Sequence, residues 1–206
     1  MFARSTTITG DPGNVDAGIT YVRNEVMPAV TGMDGCIGLS MLVNRDTGRC
    51  IATSSWSSEE AMKASFAAVA GNRARAGEIL GGTPRVEEWE VAVMHREHEA
   101  MEGSACRVTR LQSDPARIEE SHDFFRNTVL PRLEESEGFC SASLLINRVT
   151  GAGCSTARYD SRAALEATRD IAAGLRSQRL AMGGGEFTEI DECELVIAHL
   201  RVPELV

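Results

Sequence analysis

Residues able to do chemistry recur at matching places in this 206-residue chain. Arg4 and Arg107 stand 103 positions apart, and Glu88 and Glu192 stand 104 apart. A buried glutamate with a raised pKa can serve as a general base. The same glutamates can instead close an Arg–Glu network with Arg4 and Arg107, because buried charges need partners. Ser40, Asn44, Ser143 and Asn147 add matched polar groups that could contact a ligand. Asn44 and Asn147 also precede turns, where asparagine commonly bonds its own backbone. Trp56 and Tyr159 are matched aromatics, suited either to a core or to a ligand wall.

Other candidates carry less. His122 falls on an apolar helical stripe, and His95 and His199 end matched strands. His95, Glu97, His98 and Glu99 could form a surface metal site, but such charged segments are usually solvated, and no metal is expected. The six cysteines form no CxxC pair and are expected as free, buried thiols of a reducing compartment. The Gly81-Gly82 and Gly183-Gly185 loops follow helices and precede strands, the opposite order from a phosphate cradle. No cofactor is expected.

These pairs belong to a longer internal repeat. The run Ser40-x-Leu42-x-Asn44-Arg45-x-Thr47-Gly48 matches Ser143-x-Leu145-x-Asn147-Arg148-x-Thr150-Gly151. Asp11-Pro12, Arg23-Asn24, Pro28 and Gly35 have copies at Asp114-Pro115, Arg126-Asn127, Pro131 and Gly138. One register holding over about 90 residues marks a duplicated domain. The repeats are placed at 1–96 and 105–206, with a charged linker at 97–104.

Each repeat reads β-α-β-β-α-β. Arg4 to Thr9 alternates as a strand. Val15, Ile19, Val22, Val26 and Val30 form one face of a helix that Pro28 should bend or end. Two strands flank the Arg45–Gly48 turn. Ser57-x-x-Glu60 predicts a cap for a second helix through Met62, Phe66 and Val69. Val86 to His95 closes the unit as a strand. This order predicts an α+β chain of two ferredoxin-like repeats, strand order 4-1-3-2, helices on one face. The bare faces would pack together as an intrachain α/β barrel. Alternation predicts Trp89, Val91 and Val93 beneath the helices. It sends Glu88 and Ser40 to the interior or the inter-repeat seam.

The pattern resembles the dimeric α/β-barrel superfamily, especially antibiotic-biosynthesis-monooxygenase-like domains. The features behind the resemblance are Val26-Met27-Pro28 and Val129-Leu130-Pro131, Gly35 and Gly138 opening the second strand, and Ser55-Trp56-Ser57-Ser58-Glu59-Glu60-Ala61. The whole chain looks most like tandem proteins of mycobacteria and related actinobacteria. The resemblance implies a cavity for small, often aromatic molecules. It also implies that some members oxidise them with O2 and no cofactor, with a tryptophan at the position of Trp56. Alanine at position 52 and the absence of histidine in 61–66 depart from the asparagine and the haem-site histidine of some relatives.

The two readings that follow are a small-molecule-binding barrel and a cofactor-independent monooxygenase acting on a phenolic or quinone-like substrate. The partner expected is a small apolar or aromatic metabolite. A homodimer of the tandem chain stays open. A net charge of −9 speaks against nucleic-acid binding. No signal peptide or membrane-length apolar run is visible, so a cytoplasmic protein is expected.

Overall fold

The computed structural model describes residues 1–200 and 202–205. Its eight strands are β1 (Phe2–Thr9), β2 (Cys36–Asn44), β3 (Arg49–Trp56), β4 (Arg85–Arg96), β5 (Ala105–Gln112), β6 (Phe139–Asn147), β7 (Ala152–Tyr159) and β8 (Glu186–Leu200). In the first unit β1 pairs with β3, β3 with β2 and β2 with the end of β8; in the second β5 pairs with β7, β7 with β6 and β6 with the end of β4. The fold is α+β and ferredoxin-like, with the two copies expected from the repeat. Among the described residues no helix is long and apolar enough to cross a membrane.

Two compact units are present, and they are not the two repeats. One comprises Met1–Trp89 with Cys193–Val202, the other Glu90–Glu192 with Pro203–Val206. The units part at Trp89/Glu90 and at Glu192/Cys193. The physical reason is strand length. β4 has 12 residues and β8 has 15, enough to pair twice. Residues 90–96 pair with β6, and residues 194–200 pair with β2. Each unit thus takes the end of its last strand from the other repeat.

The first unit shows how the sequence builds its layers. The helical segment after β1 runs through α1 (Val15–Tyr21), a π-helical turn at Val22–Val26 and α2 (Met27–Thr31). Pro28 cannot donate to the ladder and crowds the carbonyl one turn back. The wide turn before it absorbs that misfit, so the segment continues where an end or bend was expected. The second unit repeats the device, with α5 (Ile118–Phe124), the turn Phe125–Val129 and α6 (Leu130–Glu134) around Pro131.

The other expected helix divides in both units. In the first it forms α3 (Glu59–Ala68) and α4 (Ala70–Leu80), parted at Val69. In the second it forms α7 (Arg162–Ala167) and α8 (Arg169–Ala181), parted at Thr168. Ser58, not Ser57, caps α3, accepting from the Ala61 N–H at 3.1 Å. Phe66, on the expected second helix, is exposed beneath Arg73, whose guanidinium carbon lies 4.3 Å from the ring centroid.

The helices cover one face of each sheet. In the first unit Val15, Val22, Val30, Met62 and Leu80 pack on Ile8, Leu39, Met41 and Trp56. In the second, Ile118, Phe125, Leu133 and Leu165 pack on Leu144, Ile146 and Tyr159. The opposite face of the first unit's strands is buried as well, at Ser5, Thr7, Ser40, Leu42, Ile51 and Trp89. Burial therefore does not identify the helix side. This is why Trp89 was misplaced: it lies opposite the helices and donates to Ser5 Oγ at 2.9 Å. A bulge between Val91 and Val93 then exchanges the faces, so Val93 joins the core under the second unit's helices.

Candidate functional site

Each unit carries a cavity between its sheet and its own helices. Both cavities lie on the helix-covered face of the sheet, not on the bare face where strand alternation placed a ligand. The first measures about 70 Å³, walled by Arg4, Thr6, Met41, Trp56, Arg73 and Ala76 among others. The second measures about 100 Å³, walled by Arg107, Phe124, Leu144, Tyr159, Arg176 and Arg179 among others. The matched pairs Arg4/Arg107, Trp56/Tyr159 and Arg73/Arg176 occupy both. A pocket of this kind, apolar with a few polar groups, is the usual form of a small-ligand site.

β1 and β5 deliver the first arginine of each cavity. Arg4 is buried and donates through Nε (3.1 Å) and Nη2 (2.8 Å) to Glu88, and through Nη1 to Ser65 Oγ at 2.8 Å. Arg107 donates to Glu192 (3.0 Å), Thr168 Oγ1 (2.9 Å) and the Leu165 carbonyl (3.0 Å). Glu88 therefore shares Arg4's helix-side face, a correction to the inward placement expected from alternation. The Arg–Glu network is present in both units. The Arg169 hydrogen bond holds the Glu192 carboxyl below the ordinary range, and the Arg107 bond adds to this. A general base needs the opposite shift.

A second matched network lies at the hairpins. Arg45 donates to Glu194 at 2.9 Å, and Arg148 to Glu90 at 2.6 Å. Beside it, Asn44 Oδ1 accepts from the Asp46 and Thr47 N–H groups at 3.0 and 3.2 Å. Asn147 Oδ1 does the same for Val149 and Thr150, at 3.1 and 3.0 Å. Both carboxamides shape turns and line neither cavity. Ser40 and Ser143 are buried on β2 and β6 but line neither cavity. Of the ten residues singled out, Arg4 and Trp56 are brought together in one cavity and Arg107 and Tyr159 in the other, with Glu88 and Glu192 behind the arginines.

The two aromatic walls differ. Trp56 is 1% exposed and donates from Nε1 to Ser54 Oγ at 3.0 Å. Tyr159 is fully buried, and its hydroxyl, beside Thr168, makes no well-formed hydrogen bond. Burial raises its pKa.

Sequence reading missed Arg73, Arg176 and Arg179. The first two were legible in principle, since they stand 103 residues apart on matched helices. Burial, and then the nearby arginine of β1 or β5, lowers the pKa of each. Arg179 has alanine at its counterpart, position 76, so the repeat could not flag it.

Two clusters bring possible metal ligands within 4.8 Å: His98, Cys140 and Asp160, and His95, Glu97 and Glu134. In the first, His98 lies 2.9 Å from Asp160, and the Cys140 thiol donates to the same oxygen at 3.2 Å. All six cysteines are free. Burial pushes the thiols of Cys50 and Cys106 up to about 11, and burial with the Asp160 carboxylate pushes Cys140 up to about 12. Thiolate is the reactive form, so these thiols are expected to resist iodoacetamide at pH 8 in the folded chain and to react in denaturant. Mass mapping of alkylated cysteines checks this. Rapid native labelling of Cys106 or Cys140 would contradict it.

Comparison with known proteins agrees with the fold. Residues 1–75 match the family model described as antibiotic biosynthesis monooxygenase. Uncharacterized protein Rv2557 of Mycobacterium tuberculosis is 50% identical over 208 residues, covering 100% of this chain and 92% of that protein. Uncharacterized protein Rv2558 of the same organism is 49% identical over 209 residues, covering 100% of this chain and 88% of that protein. The crystal structure of an anthrone oxidase-like protein superposes with a TM-score of 0.71 at 17% identity, covering 99% of this chain and 94% of that one.

Proposed function

We propose that this chain, which belongs to the antibiotic-biosynthesis-monooxygenase-like family together with the two mycobacterial tandem proteins, is a small-molecule-binding protein whose ligands occupy the helix-covered cavities. The observation that carries the reading is the pair of cavities at equivalent places, each walled by at least one large aromatic and at least two arginines. The ligand class is a small apolar or aromatic metabolite. Packed cores seldom leave space of this kind unfilled without a use for it.

The test is mass spectrometry of small molecules carried through native purification, followed by titration of the recovered compound. Saturable binding that is lost when the cavity is filled, by Ala76→Phe in the first unit or Ala172→Phe in the second, is the expected result. A chain that carries nothing, with both fillings harmless to every probe tried, would sink the reading.

A second reading is a cofactor-independent monooxygenase acting on a phenolic or quinone-like substrate. Trp56 in a cavity wall favours it, as does the family match over the first repeat. Against it stands the depressed Glu192 carboxyl, which is a weaker base than an unshifted glutamate. Oxygen uptake with dihydroxyaromatic substrates, slowed by Trp56→Phe, would establish this reading over simple binding. No turnover across such a panel would exclude it.

A further inference from the structure

Arg179 is 2% exposed and lines the second cavity. Its Nη2 donates to Ser121 Oγ at 2.7 Å, while its buried Nε and Nη1 have no hydrogen-bond partner. Its guanidinium lies 5.9 Å from the Phe124 ring centroid. Arg176, one turn earlier on α8, lines the same cavity and makes no hydrogen bond or ion pair among the described residues. Arg107 completes the set but is already matched to Glu192. A buried guanidinium without a counterion is costly, and planar donors of this kind suit a carboxylate.

We infer that the second cavity is specialised for an organic anion, its acid group held between Arg176 and Arg179 and its apolar body against Phe124, Phe125 and Leu144. This rests on the ligand-binding reading above and narrows it to the second unit. The first cavity shares the arginine pair Arg4 and Arg73, but alanine replaces Arg179 and glycine replaces Ser121. Arg73 also donates to the Phe66 carbonyl at 2.8 Å. The second cavity thereby carries two buried guanidinium nitrogens without a hydrogen-bond partner, both on Arg179, where the first carries one, Arg73 Nη1.

The test titrates the full chain with 1-naphthoate and with its neutral analogue 1-naphthamide. Naphthoate is expected to bind at least tenfold more tightly. Arg179→Met and Arg176→Met should each remove about tenfold of naphthoate affinity and leave naphthamide unchanged, while Arg73→Met should not alter the naphthoate preference. Removing an unmatched buried charge should also raise the melting temperature of Arg179→Met, which separates lost binding from lost folding. Equal affinity for the two probes would overturn the anion inference and leave cavity binding standing. A naphthoate preference that survives Arg179→Met and Arg176→Met together would overturn it too. Failure of both probes to bind would overturn the anion inference, while the cavity-binding reading is decided by the purification test above.

Discussion

Replacing Glu192 with alanine is expected to destabilise the chain by about 3 kcal/mol, the effect of leaving a buried charge uncompensated. Arg107 is 6% exposed and keeps only the Thr168 hydroxyl and the Leu165 carbonyl once Glu192 is gone. Replacing Arg107 and Glu192 together with methionine should cost much less, within about 1 kcal/mol of the parent, because no orphan charge remains. Urea unfolding of Arg107→Met, of Glu192→Met and of the double variant gives the coupling directly. The pH dependence follows the same pairing. Glu192 has a depressed folded pKa, so its contribution is complete above the ordinary carboxylate range and is lost as the pH falls through the folded value. The parent should therefore lose stability on acidification from about pH 5 downward more steeply than the double variant. A Glu192→Ala chain within about 0.5 kcal/mol of the parent would show that Arg107 is satisfied without its partner.

The repeat that made this pairing visible in the sequence also limited what could be read there. Arg4 with Glu88 and Arg107 with Glu192 were legible because both partners recur, and strand 1 beside strand 4 places them in reach. Their face was not legible. Alternation tells which residues share a face, but here both faces of the sheet are buried, so Trp89 looked like a residue beneath the helices. The bulge between Val91 and Val93 then moves the face along a single strand, which no fixed period can follow. The exchange of strand ends was hidden for a different reason. Pairing of residues 194–200 with β2 and of 90–96 with β6 depends on partners far away in sequence. The anion-facing arginines divide along the same line. Arg73 and Arg176 obey the 103-residue spacing, while Arg179 departs from it, and that departure makes the two cavities chemically unequal.

The matched aromatics are unequal too, and their substitutions are expected to separate sharply. Trp56→Ala should destabilise the chain by about 3–5 kcal/mol, the range for deleting a buried aromatic. Trp56 packs with Ile8, Leu39, Met41 and Met62, and the ring's removal would merge its volume with the first cavity. Trp56→Phe should be milder because most of the ring volume stays, although Ser54 Oγ then loses its indole donor. Tyr159→Phe should change stability by less than about 0.5 kcal/mol or improve it, since a buried hydroxyl without a well-formed bond contributes little and its removal ends a desolvation penalty. The contrast is informative for function. If Tyr159 were retained only as core, phenylalanine would serve as well or better, so a naphthoate affinity that drops in Tyr159→Phe at unchanged stability would assign the hydroxyl to the ligand. Equal destabilisation by Tyr159→Phe and Trp56→Phe would instead mean that the Tyr159 hydroxyl has a structural partner, and the two cavities would then differ by their arginines alone.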